Sequence, residues 1–210
     1  MMAKNPIPII DIDGLFSADK NERLNVGKQI SQACREVGFF AIKNHRIQCL
    51  DRLEKETFRF FKHQSTEDKM TLALNKWIKI NANTYRVYFP NVIRIQGFDI
   101  GNPNLNADHE LIRLRTPLHE VNKWPDEAKL PGFKQFATDY FKQMLNLAKV
   151  LLRGFSIAAD KSEDFFENIL NMDDTMSTLR FNYYPFTQEN TLQPAEIAED
   201  GTRPVSYTHL

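Results

Sequence analysis

The longest regular pattern in the chain lies in its second half. Phe133, Phe136, Tyr140, Met144, Leu147, Leu151, Phe155 and Ala158 recur at steps of three and four. That spacing puts all eight on one face of a helix starting after Pro131, and predicts a core-facing stripe. Ser162 suits the N-cap of a following helix, with Glu163 and Asp164 favourable in its first turn. Phe165, Phe166, Ile169 and Leu170 are expected to point inward. The period then drops to two. In "TLRFNYYP", Leu179, Phe181 and Tyr183 face one way and Arg180, Asn182 and Tyr184 the other. This predicts a strand with one apolar and one polar face, closed by Pro185.

The first half reads more briefly. "IPIIDI" (7–12) is a β-rich run ended by Asp13-Gly14. Val26, Ile30, Ala33, Cys34 and Val37 mark a helix face, with Gly38 at the C-cap position. "FFAI" (39–42) reads as a buried strand. Leu50, Leu53, Thr57, Phe58 and Phe61 mark a second amphipathic helix, and a short third one is expected after Ser65, with Met70 and Leu74 inward. Residues 75–132 carry turn and loop compositions such as "GFDIG" and "KWPDE". Helices first and strands last predict an α+β layout.

Composition narrows the function. Lys+Arg and Asp+Glu both total 27 in 210 residues, so the formal charge is zero. Nothing calls for nucleic acid or an anionic membrane, and no apolar run is long enough to span a bilayer. Two cysteines, Cys34 and Cys49, are expected to be reduced and packed, as in a cytoplasmic protein. Phosphate loops, GxSxG, CxxC and HExxH patterns are all missing from the sequence. His45, His63, His109 and His119 read as loop or helix-end residues making ordinary hydrogen bonds. If "VSYTHL" is a strand, His209 would share a metal with a ligand at position 211. That is the His-x-Asp half of a 2-His-1-carboxylate iron(II) site.

The segments "IPIIDIDGL", "ACREVGFFAIKNH", "EDKM", "YRVYFP", "GFDIGNP", "TPLHEVNKWPDE", "LLRGFSIAA" and "STLRFNYYP" occur in this order between residue 6 and about residue 185. Together they resemble the isopenicillin N synthase-like family of iron(II), 2-oxoglutarate-type oxygenases. The resemblance implies a mostly helical N-terminal region over 1–174. Residues 175–210 would begin an incomplete jelly-roll (double-stranded β-helix) barrel.

It also implies Fe(II) and 2-oxoglutarate as cofactors, with molecular oxygen and a small molecule as co-reactants. His209 stands where the first iron ligand belongs, and the remaining iron ligands are expected beyond Leu210. Asn182 and Tyr184 are expected to face the cofactor, Tyr184 binding a carboxylate. Arg86 is expected near the substrate entrance, able to clamp a carboxylate. "LHEVNKWPDE" is expected to be structural, with Trp124 packing rather than binding. The chain has Arg46 where the family usually has the glycine of "NHG", which puts that turn's geometry in question.

The expected function is oxidation of an unactivated C–H bond by a 2-oxoglutarate-dependent oxygenase, of which this chain alone would be inactive. One alternative is an isopenicillin N synthase-type oxidase, which closes a tripeptide without 2-oxoglutarate. A further alternative is a non-catalytic helical module.

Overall fold

The computed structural model describes residues 7–74, 82–90, 95–170 and 174–185. The chain opens with strand β1 (Ile9–Asp11) and a 3-10 turn at Asp13–Phe16. Helix α1 (Lys20–Glu36) starts at Asp19, whose carboxylate accepts from the Asn21 N–H at 2.8 Å. It ends as expected: Gly38 takes φ +83°, and its N–H reaches back to the Ala33 carbonyl. β2 (Ala41–Lys43) pairs parallel with β1, Ile10 opposite Ile42. This strand is less buried than its apolar sequence suggests. Phe39 is 72% exposed, and only Phe40 and Ile42 lean on the core.

α2 (Leu50–Phe58) runs directly into a π-helical turn at Arg59–His63. The widened turn lets two consecutive aromatics, Phe60 and Phe61, both enter the core. The fully buried residue of α2 is Glu56; Leu53 leans on the core as expected, whereas Leu50 is exposed. Glu56 is held by Arg59 at 2.6 Å and Arg52 at 3.3 Å. α3 (Thr66–Met70) is capped by Ser65, whose hydroxyl accepts from the Asp68 N–H.

The stretch expected to be irregular holds two strands, β3 (Tyr88–Phe89) and β4 (Gln96–Ile100), followed by a short α4 (Glu110–Arg113). α5 (Phe133–Ala158) and α6 (Phe165–Ile169) lead into β5 (Leu179–Tyr183). β4 is the centre of an antiparallel sheet ordered β3-β4-β5, with Phe98 opposite both Tyr88 and Phe181. The architecture is α+β, but the strands flank the long helix rather than follow it.

α5 serves two cores. Its first half, with Phe133, Phe136, Tyr140 and Phe141, packs on the sheet and the π turn. The Phe60 ring lies 4.6 Å from Phe98 and 5.3 Å from Phe133. Its second half crosses α1, where Gly27 lies against Ile157 and Gly154 against Ile30 and Leu15. The predicted stripe is right in direction, although Met144 is exposed. Three further inward placements fail. Ile169 and Leu170 are exposed on α6, and Cys34 is exposed beside buried Ala33. No helix among the described residues is long and apolar enough to cross a membrane.

Candidate functional site: the polar face of the three-stranded sheet

Alternation along β5 gives the sheet two unlike faces. Phe181 is buried against Phe133, and Tyr183 stacks on Phe61 at 5.4 Å, so the apolar face is the core. Arg180 and Asn182 take the other face, as their spacing predicts. Register puts Asp99 opposite Arg180 and Gly97 opposite Asn182. Phe89 of β3 completes this face. A side chain built on Gly97 would meet the Phe89 ring at 3.6 Å and the Asn182 Oδ1 at 3.8 Å. Tyr184 follows β5 and is exposed.

Arg180 grips Asp99 side-on, Nε to Oδ1 and Nη2 to Oδ2, both at 2.6 Å. Its guanidinium also lies 5.2 Å from the Phe89 ring centre. Burial pushes the Asp99 carboxyl up, against the pull of Arg180 and of nearby Arg86. The bonds to Asp99 hold Arg180 more firmly protonated than a free arginine. Asn182 takes no side-chain hydrogen-bond partner among the described residues.

Arg86 sits at the end of this face but is only 4% exposed. Its Nη1 donates to the Thr178 hydroxyl at 2.5 Å and its Nη2 to the Met176 carbonyl at 3.0 Å. Nε is buried without a partner among the described residues. Burial lowers the Arg86 pKa, partly offset by Asp99 and Glu120. The side chain therefore ties the 84–86 turn to the start of β5.

The turn itself is held by a residue that sequence reasoning did not single out. The Glu120 carboxylate accepts from the Thr84 N–H and hydroxyl, both at 2.7 Å. It also accepts from the Tyr85 N–H at 2.9 Å and the Arg86 N–H at 3.0 Å. Burial would raise its pKa, but these four donors outweigh burial and leave it lowered. Asn122 pairs in both directions with the Gly101 backbone, at 2.7 and 2.9 Å. "LHEVNKWPDE" is thus a brace, and Trp124 packs on the first core as expected.

Four histidines read as ordinary residues keep local roles. His45 accepts from the Ile47 N–H, and His109 caps α4 and meets Asp174 at 3.1 Å. His119 contacts the Pro117 carbonyl, and His63 is exposed at the end of the π turn. His209 lies outside the described residues. Among those residues, no group of three His, Cys, Asp or Glu could hold a metal ion. The one carboxylate on this face has both oxygens on Arg180. The described residues do not fit an iron site by themselves.

A family model for the non-haem dioxygenase in morphine synthesis N-terminal region matches residues 7–127. The chain belongs to this family. The match covers the α1–α3 region, the β3–β4 hairpin and the Glu120 brace, so family membership and the frame of the polar face coincide. Isopenicillin N synthase from Penicillium chrysogenum is 37% identical over 211 residues, covering 96% of this chain and 63% of that protein. The Amycolatopsis lactamdurans enzyme of the same name is 36% identical over 205 residues, covering 96% and 62%. The chain thus spans a little under two thirds of the length of these curated relatives.

Solved structures agree on the fold. A full-length Neurospora crassa protein in complex with alpha-KG and 5-formyluracil matches at TM-score 0.64 and 25% identity, covering 85% of this chain and 52% of that one. A 2OG-Fe(II) oxygenase family protein from Caulobacter crescentus matches at TM-score 0.68 and 18% identity, covering 87% and 57%. Such oxygenases have a jelly-roll fold.

Proposed function

We propose that the chain is the N-terminal part of a cytoplasmic non-haem iron(II), 2-oxoglutarate-dependent oxygenase that uses molecular oxygen to oxidise an unactivated C–H bond of a small molecule. The observation that carries this is the sheet's polar face, on which Asn182 stands without a side-chain partner beside Gly97, with Tyr184 two residues further on. In this reading the Asn182 amide and Tyr184 hydroxyl donate to the 2-oxoglutarate carboxylate. Residues 1–174 form the mostly helical region, and 175–210 begin the jelly-roll barrel. His209 is the first iron(II) ligand. Arg86 would clamp a substrate carboxylate only by releasing Thr178 or Met176, since both its terminal nitrogens are engaged.

The test is turnover by the full-length protein. Fe(II), 2-oxoglutarate and oxygen should yield succinate. Tyr184→Phe should raise the KM for 2-oxoglutarate about tenfold, as loss of one hydrogen bond to a charged group would. A second reading is supported by the isopenicillin N synthases at 36–37% identity. It predicts oxygen uptake with a tripeptide substrate and no succinate. Absence of both activities in an iron-loaded, folded protein would sink the first reading and the second together.

A further inference from the structure

We infer that Arg180, rather than Arg86, is the anchor for a carboxylate on the substrate. This rests on the reading that the polar face of β3–β5 meets the ligands. A guanidinium offers two bidentate edges, one through Nε and a terminal nitrogen, the other through the two terminal nitrogens. In Arg180 the first edge is filled by Asp99. The second remains open: Nη1 has no hydrogen-bond partner among the described residues, and the side chain is 54% exposed. Asp99 and the Phe89 ring fix the plane of the group, so little side-chain freedom remains to be lost on binding.

Arg86 is the opposite case. It is buried, both terminal nitrogens are bound to the start of β5, and its remaining N–H faces Gly101.

Distance separates the Arg180 ligand from the co-substrate. Positions 180 and 184 lie four residues apart in extended chain, about 13 Å. Two groups so spaced along the chain suit two separate carboxylates better than one. With Tyr184 on one 2-oxoglutarate carboxylate, the Arg180 edge is assigned to a carboxylate of the substrate, a small carboxylic acid; an Arg180 shift caused by 2-oxoglutarate would give it to the co-substrate's second carboxylate and overturn this assignment.

The experiment is NMR of the isotope-labelled chain, following the arginine Nε–H signals and the Asn182 side-chain amide. The probes are hexanoate, a plain monocarboxylate, and 2-oxoglutarate. Hexanoate should move the Arg180 signal saturably and leave Arg86 in place, while 2-oxoglutarate moves Asn182. Arg180→Met should weaken hexanoate binding at least tenfold, and Arg180→Lys by less. Arg180→Met strands buried Asp99, so the Asp99→Asn/Arg180→Met double variant is the folded control and should show the same loss. Hexanoate that moves Arg86 or Asn182 but not Arg180 overturns this inference and leaves the ligand face standing. If neither probe moves Arg180 or Asn182, both fall. The wild-type titration decides this even if every variant misfolds.

Discussion

Gly101 and Arg86 touch so closely that a methyl group built at position 101 would lie 2.2 Å from the Arg86 Nε. Arg86 cannot retreat without releasing Thr178 or Met176. Gly101→Ala should therefore destabilise the fold by about 1–3 kcal/mol, the usual range for overpacking. Chemical denaturation measures this. A change within about 0.5 kcal/mol would mean that Arg86 is not held where the structure puts it.

Glu120 makes stability depend on acid. Its folded pKa is lowered, so its contribution is fully present above the ordinary glutamate value and disappears as pH falls through the folded one. Glu120→Gln keeps one acceptor oxygen but replaces the other with a donor facing backbone N–H groups. The variant should lose about 2 kcal/mol at neutral pH, in the range for hydrogen bonds to charged groups. The deficit should shrink below the ordinary glutamate pKa. A deficit constant from pH 7 to pH 3 would contradict the assignment.

Arg46 stands at φ 60°, in the left-handed region, where the family usually has glycine. That backbone costs a side-chain-bearing residue about 1–2 kcal/mol. Against it stand an exposed ion pair with Asp13, at about 0–1 kcal/mol, and contact with the Phe16 ring, at about 0.5–1 kcal/mol. The terms nearly cancel. Arg46→Gly should change stability by less than about 1 kcal/mol and lose most of its salt dependence. A loss well above that, measured by thermal melting at two ionic strengths, would show that the contacts dominate.

The α1–α5 crossing depends on absent side chains. A methyl on Gly27 would lie 2.3 Å from the Ile157 Cγ2. Gly27→Ala should be destabilising by about 1–3 kcal/mol despite the better helix propensity of alanine. The paired change Gly27→Ala/Ile157→Ala should cost less than the sum of the two single changes, because the branch that clashes is gone. Strictly additive losses in the double variant would place the damage elsewhere.

What could be read from the sequence follows from how each element is buried. α5 and β5 each present one apolar and one polar side, so their periods of three-to-four and two survive in the residue order. β4 escaped because Gly97, Phe98, Asp99 and Ile100 are all buried. A strand covered on both faces has no alternation, and "GFDIG" resembles a turn. The inward reading of Ile169 and Leu170 failed for the opposite reason: α6 is only five residues long, too short for a stripe to define a face. Asn182 and Arg180 could be placed on one face from alternation alone. The engagement of Arg86 and the grip of Glu120 could not, because their partners lie 34 to 92 positions away.

The bond between Arg180 and Asp99 closes 81 positions of chain, and the 26 residues of α5 lie inside that span. Bringing such distant segments together carries a large entropic penalty unless the intervening chain is already ordered. α5 lies within that loop, so once it has packed on α1 and the π turn less free chain remains to be closed, and β5 is expected to dock after it. In a partial opening event the reverse holds: β5 can peel away while the α1–α5 core persists. The surface proposed to hold the reactants is then the last the molecule assembles and the first it surrenders.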